Sequence, residues 1–129
     1  MPEVNLLAVI TAAVSSFLLG GLWYSPALFG KTWQVEAKAP DQPGHPGKVF
    51  GGALVLSLLA AYVFALFLGP KPELAFATGA GAAAGFCWVA AGFGINYLFA
   101  QRSFKLWLID GGYHTLQFTL YGLVLGAWH

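Results

Sequence analysis

Asp110, His114, Gln117 and Tyr121 recur at i, i+4, i+7 and i+11. At 3.6 residues per turn this spacing lays a carboxylic acid, an imidazole, an amide and a phenol along one face of a helix. Such a row suits a proton relay in steps of about 5 Å, because the imidazole titrates near neutral pH and every neighbour can accept a hydrogen bond. The same spacing fits a quieter role, in which Asp110 and His114 satisfy each other and tie their helix to its neighbours. Beside this face Gly111, Thr115, Thr119, Gly122 and Gly126 form a stripe of small residues, along which a second helix can approach backbone to backbone.

The segment that positions these groups, 106–128, is otherwise Leu, Ile, Phe, Val and Trp, and the whole chain is built in the same way. Charged residues make up 9% and hydrophobic ones 58%, whereas a soluble domain holds about 25% charged residues. Stretches 4–30, 49–70 and 74–101 carry no charge at all, and each exceeds the roughly 20 residues of helix that cross a hydrocarbon core. The expectation is an all-α integral membrane protein. It is a four-helix transmembrane bundle in a single domain over 1–129, with spans at about 4–26, 49–69, 74–98 and 105–127 and a cytoplasmic loop at 31–48. Of the six Lys and Arg, Lys31, Lys38 and Lys48 fall in the first connection, Arg102 and Lys105 in the third, and Lys71 alone in the second. The positive-inside rule then puts both termini outside an inner (cytoplasmic) membrane. The start Met1-Pro2-Glu3 lacks a basic n-region, so the first span is expected to be retained rather than cleaved.

Several function classes fall away. A net charge of +1 without any Lys/Arg cluster offers nothing to a phosphate backbone, so no nucleic-acid partner is expected. Cys87 has no second cysteine to pair with and reads as a small buried residue. His45 stands alone in a loop, so no metal site and no cofactor are expected. His-Glu-x-x-His, Gly-x-Ser-x-Gly and Cys-x-x-Cys are all missing, and no catalytic residue is assigned. Pro40, Pro43, Gly44, Pro46 and Gly47 make 34–47 read as an irregular, mobile loop.

In the first span Pro26 disfavours helix at Ser25, and Trp23-Tyr24 suits the headgroup boundary, so the span should end or kink there. The following residues, 27–33, read as a short amphipathic turn along the interface. Residues 5–9, Asn-Leu-Leu-Ala-Val, with 23–33, Trp-Tyr-Ser-Pro-Ala-Leu-Phe-Gly-Lys-Thr-Trp, resemble the signature of a bacterial membrane-protein family catalogued as domain of unknown function 1761. Asp110-Gly111-Gly112-Tyr113-His114 through Gly126-Ala127-Trp128 is similar to that family's closing segment, where Asn is more usual than Asp110. The resemblance covers essentially the whole chain and implies a membrane fold without an assigned activity. A neutral amide as the family's common residue also implies that the carboxylate is not a required proton carrier throughout the family.

The third span is rich in small residues, and Gly81-x-x-x-Gly85 with Gly92 reads as a packing seam to match Gly111, Gly122 and Gly126. A nucleotide-binding glycine loop would need a preceding strand. The stiff turn at 69–73 should make the second and third spans antiparallel neighbours. Residues 24–33 and 97–107 share an aromatic, basic, aromatic order, which suggests two parallel hairpins, although interface preferences alone produce the same pattern.

Counted from Lys105, Asp110 lies roughly 8 Å and His114 roughly 14 Å into the membrane. Asp110 is then level with Tyr24, Ser25, Asn96 and Tyr97, which are expected to converge with it into one polar cluster, a binding or proton-path site from which His114, Gln117 and Tyr121 climb outward as a relay. A charge at such depth costs about 2.5 kcal/mol or more, and intramembrane ionisable groups usually mark an ion or substrate path. The reading taken first is therefore an oligomeric small-solute or proton-path protein in the lipid bilayer. The alternative is a non-catalytic accessory or structural subunit of a larger membrane complex, and behind both stands a small membrane enzyme acting on lipid or quinone.

Overall fold

The computed structural model describes residues 4–39 and 46–128. The expectations attached to Met1-Pro2-Glu3, to Pro40, Pro43 and Gly44, and to His45 lie outside these residues. Among the described residues every regular element is a helix: α1 is Leu6–Trp23, α2 Gly30–Ala37, α3 Pro46–Leu68, α4 Leu74–Ala84, α5 Ala91–Phe99 and α6 Phe104–Ala127. A π-helical turn, Gly85–Ala90, carries α4 into α5 without a break.

Local chemistry sets the ends of these helices. The Asn5 side chain accepts the Ala8 N–H at 3.2 Å, and Ser103 Oγ accepts that of Leu106 at 3.1 Å, so α1 and α6 each start on a side-chain cap. Pro46 opens α3, because a proline in the first turn forfeits no helical hydrogen bond, and the helix therefore begins before the expected residue 49. The stretch expected to be irregular is also helical at its start. α2 runs through Ala37 and stops at Lys38, which turns left-handed at φ 55°, because the helix-breaking prolines come only from residue 40 onward.

Burial is arranged by size. Ala8, Ala12, Ala13, Ala61 and Ala77 are fully buried, while Phe67, Trp88 and Phe99 are 78%, 70% and 88% exposed. Water would drive the opposite sorting, whereas lipid places no penalty on large apolar side chains outside and leaves close contact between small ones to hold helices together. Cys87 follows the same rule: it is exposed on the outer side of the π turn beside Trp88, not buried as expected. Three helical runs are long and apolar enough to cross a membrane, namely Leu6–Trp23, Pro46–Leu68 and Leu74–Phe99. α6 has 24 residues and so is about 36 Å long, but Lys105, Asp110 and His114 dilute its apolarity.

α6 is the axis of the bundle and touches every other helix. It runs antiparallel to α1, with Asn5 near Trp128 at one end and Trp23 bonded to Ile109 near the other. The 69–72 turn lies beside Asn5 and Trp128, while Arg102 bonds the Ala37 carbonyl at the opposite end, where Lys31, Lys38, Lys48 and Lys105 also fall. α3 and α4 do not pair closely as their short connection suggested. Both pack on α6, and a groove of about 330 Å³ walled by Phe64, Phe67, Phe76 and Trp88 separates them. Large rings wall the groove on the side of α3, whereas Gly81 of α4 and Gly85 of the π turn face α6.

Those glycines make the seam. A Cβ on Gly81 would strike the Phe118 carbonyl oxygen, and one on Gly122 would strike that of Ala77. On Gly85 it would lie 2.6 Å from the His114 oxygen, on Gly126 2.8 Å from the Leu74 Cα, and on Gly111 3.2 Å from the Ala90 Cβ. Gly92, expected in the same seam, faces open space, and Gly94 takes its place against Trp107. The π turn is the reason. Tyr97 is twelve residues beyond Gly85, so an unbroken α-helix would aim it about 120° away from the seam. One extra residue in the wide turn takes back about 100°, which carries Gly92 off the face and brings Gly94 and Tyr97 onto α6.

Candidate functional site

The end of α1 is shaped to present two aromatic side chains. After Pro26 the chain doubles back, with the Phe29 N–H on the Trp23 carbonyl at 3.0 Å and the Gly30 N–H on that of Ser25 at 2.9 Å. A Cβ on Gly30 would lie 2.7 Å from the Ser25 carbonyl carbon and collide with the Tyr24 oxygen, so this turn admits only glycine. The Phe29 ring covers Trp23 with centroids 4.7 Å apart, and Trp33 packs edge-on against Tyr24 at 5.7 Å. The run from Trp23 to Trp33 is thus a holder. Trp23 Nε1–H donates to the Ile109 carbonyl at 2.8 Å, which fixes the end of α1 beside the next residue, Asp110.

Asp110 is 7% exposed, and each of its oxygens receives one phenol. Tyr24 donates to Oδ1 at 2.6 Å and Tyr97 donates to Oδ2 at 2.5 Å. The two donors come from opposite flanks, α1 and α5, so a single carboxyl group on α6 joins three segments. Trp107 Nε1–H, donating to the Ala90 carbonyl at 2.8 Å, pins the π turn that aims Tyr97.

His114 does not pair with Asp110. Its Nδ1 lies 2.5 Å from Gln117 Oε1, Gln117 Nε2 donates to Tyr121 Oη at 2.7 Å, and Tyr121 donates to the Ser57 carbonyl at 3.2 Å. Ser16 Oγ sits 3.4 Å from the same phenol, and Tyr113 Oη donates to the Ser16 carbonyl at 3.0 Å. The imidazole stacks on Phe93, with centroids 5.0 Å apart and planes 13° from parallel. Proton placement follows from one carbonyl. Ser57 can only accept, so Tyr121 gives it its hydrogen and must accept from the Gln117 amide nitrogen; the Gln117 oxygen then faces His114, and Nδ1 is the donor. Nε2 of His114 has no hydrogen-bond partner among the described residues.

The expected row from Asp110 through His114 thus falls into two hydrogen-bonded groups. Tyr24 and Tyr97 meet Asp110, while His114, Gln117 and Tyr121 form a separate chain deeper along α6. Ser25 and Asn96 join neither. Ser25 Oγ bonds the Leu22 carbonyl at 2.7 Å, and Asn96, one residue from Tyr97 and so about 100° round the helix, is exposed. The residues missed were Ser16, Ser57, Phe93, Trp107 and Tyr113. Of these only Ser16, a polar residue amid the alanines of α1, carried a signal in its surroundings. Among the described residues no buried side-chain nitrogen or oxygen lacks a partner, and no three His, Cys, Asp or Glu are grouped to hold a metal ion.

The profile of a protein family described as "Protein of unknown function (DUF1761)" matches residues 7–126. Both networks lie inside that range. No curated protein and no solved structure matches the chain.

Proposed function

We propose, for a chain that belongs to the DUF1761 family, the role of a non-catalytic component of a larger membrane assembly, in which the polar interior serves to hold a four-crossing bundle together. The observation that carries this reading is the double capture of Asp110 by Tyr24 and Tyr97. Two hydrogen bonds to a charged group contribute about 1.5–3 kcal/mol each, enough to offset the roughly 2.5–3.5 kcal/mol cost of an acid within a crossing helix. α6 is then the fourth crossing, tolerated because the other helices surround its polar face. An amide at position 110 would make the same two contacts, accepting from one phenol and donating to the other, which fits the Asn that the resemblance leads one to expect. The end bearing Lys31, Lys38, Lys48, Arg102 and Lys105 faces the cytoplasm in this reading, with both termini outside. A groove of about 320 Å³ walled by Trp23, Phe86, Trp107 and Leu116 leaves one strip of α6 open to a side chain of a neighbouring subunit.

A second reading, a proton path, is favoured by Nε2 of half-buried His114, a basic atom that no side chain or backbone group among the described residues occupies. One reconstitution separates the two. Vesicles containing the full chain and a trapped pH dye, placed under a membrane potential, should acidify no faster than empty vesicles. Flux above that background which Asp110→Asn or His114→Gln removes would overturn the structural reading. In a Cys87→Ser background, cysteines at Lys105 and Trp128 should be labelled from opposite sides, and labelling from one side would remove α6 as a crossing.

A further inference from the structure

We infer that the crevice at the α5–α6 hairpin binds the headgroup of an anionic phospholipid from the surrounding leaflet, with Arg102 as its phosphate contact. The crevice holds about 360 Å³ and is lined by Tyr97, Leu98, Arg102, Ser103, Phe104 and Trp107. Its polar groups and its apolar groups are segregated along the membrane axis. Arg102 and Ser103 lie in the connection beyond both helix ends, while Leu98, Phe104 and Trp107 lie on the helices themselves. That division matches a molecule with an acidic head and an aliphatic body.

The walls are held before any ligand arrives. Trp107 is tied through Nε1 to the Ala90 carbonyl, and Tyr97 through its phenol to Asp110. Arg102, part of the crevice lining, donates from Nη1 to the Ala37 carbonyl at 2.8 Å, which ties the guanidinium down and leaves its other N–H groups for phosphate oxygens. A prepared site loses less side-chain freedom on binding. Charge selects the occupant: among the described residues this end carries Lys31, Lys38, Lys48, Arg102 and Lys105 against Glu36, and a basic rim at a membrane surface gathers anionic lipid.

The inference rests on the crossing arrangement proposed above, and the test separates the two. The full chain is placed in phosphatidylcholine nanodiscs containing a minor fraction of either brominated phosphatidylglycerol or brominated phosphatidylcholine, and tryptophan fluorescence is read. Trp107 faces the crevice, so brominated phosphatidylglycerol should quench more than brominated phosphatidylcholine at equal fraction. That excess should vanish in Trp107→Phe. In Arg102→Gln it should need roughly fivefold more of the anionic lipid, the loss expected for one basic contact at a membrane surface. Quenching of Arg102→Gln by brominated phosphatidylcholine should equal that of the unaltered chain, which shows the bundle still seated in lipid. Equal quenching by the two lipids, an excess that survives Arg102→Gln, or an excess abolished by millimolar inorganic phosphate would each overturn the lipid site and leave the crossing arrangement standing. Absence of quenching by either lipid would overturn both.

Discussion

Replacing Asp110 by Asn and replacing its two donors by Phe should have unequal consequences, and the inequality is set by what each change leaves unpaired. Tyr97→Phe removes the only hydrogen bond that Oδ2 of Asp110 receives among the described residues, on a carboxyl group that is 7% exposed. A hydrogen bond to a charged group is worth about 1.5–3 kcal/mol, so the expected loss is about 2 kcal/mol, with a similar figure for Tyr24→Phe. The double change strips both oxygens and should cost at least the sum, since the two bonds share one acceptor group. Asp110→Asn keeps both contacts with one reversed, which turns one half-buried phenol's hydrogen away from its acceptor, but it lessens the burial cost of a carboxylate, so it should lose about 1 kcal/mol, less than either tyrosine change. Asp110→Ala leaves two half-buried phenols without their acceptor, at up to about 1–3 kcal/mol each. Reversible unfolding in mixed micelles with increasing dodecyl sulfate, followed by helical circular dichroism, gives these differences directly. Interhelical hydrogen bonds in membranes average about 0.6 kcal/mol, so a loss of about 2 kcal/mol for a single tyrosine would mark this clamp as strong. The reasoning fails if Tyr97→Phe costs no more than that average, or if Asn proves as damaging as Ala, which would mean the charge itself is needed.

The glycine seam and the second network give further expectations in the same assay. Gly81→Ala and Gly122→Ala each drive a methyl group into a backbone oxygen that cannot move without parting α4 from α6, and should prevent assembly of the bundle. Gly92→Ala meets open space and should be neutral or stabilise by up to about 1 kcal/mol through helix propensity. Gly30→Ala should unseat Tyr24, so that adding Tyr24→Phe to it costs much less than Tyr24→Phe alone; full additivity would show the turn does not hold the phenol. Gln117→Leu leaves His114 Nδ1 without its acceptor and Tyr121 without its donor, for a loss of about 2–4 kcal/mol; a loss under 1 kcal/mol would mean that chain is not a structural element.

Depth was legible in the sequence and direction was not. Counting 1.5 Å per residue placed Tyr24, Tyr97 and Asp110 at one level, and the structure joins them. The same count admitted Ser25 and Asn96, which share that level but point elsewhere, because a count along an axis carries no angle. The angle of α5 depends on the π turn, and nothing in Gly85–Ala90 announces a wide turn, so Gly92 was placed in a seam that Gly94 occupies. Gly81, Gly85, Gly111, Gly122 and Gly126 were readable because regular spacing on two unbroken segments fixes a face. The helix in 30–37 was hidden by the prolines that follow it. The position of Cys87 was misjudged because, in a chain sorted by size, an apolar span says little about which of its small residues turn inward.

A wide turn is one residue more than an α-helix of the same phase requires. The stretch from Gly85 to Ala90 can therefore shed a residue and tighten, while Tyr97 still arrives at the carboxyl group. Removing Trp88, a residue 70% exposed, should be borne better than adding an alanine a few positions later, which would swing the phenol a quarter-turn off its target. Chain length is thus negotiable at this one place in the bundle and in one sense only: slack has been laid in where a deletion can draw on it.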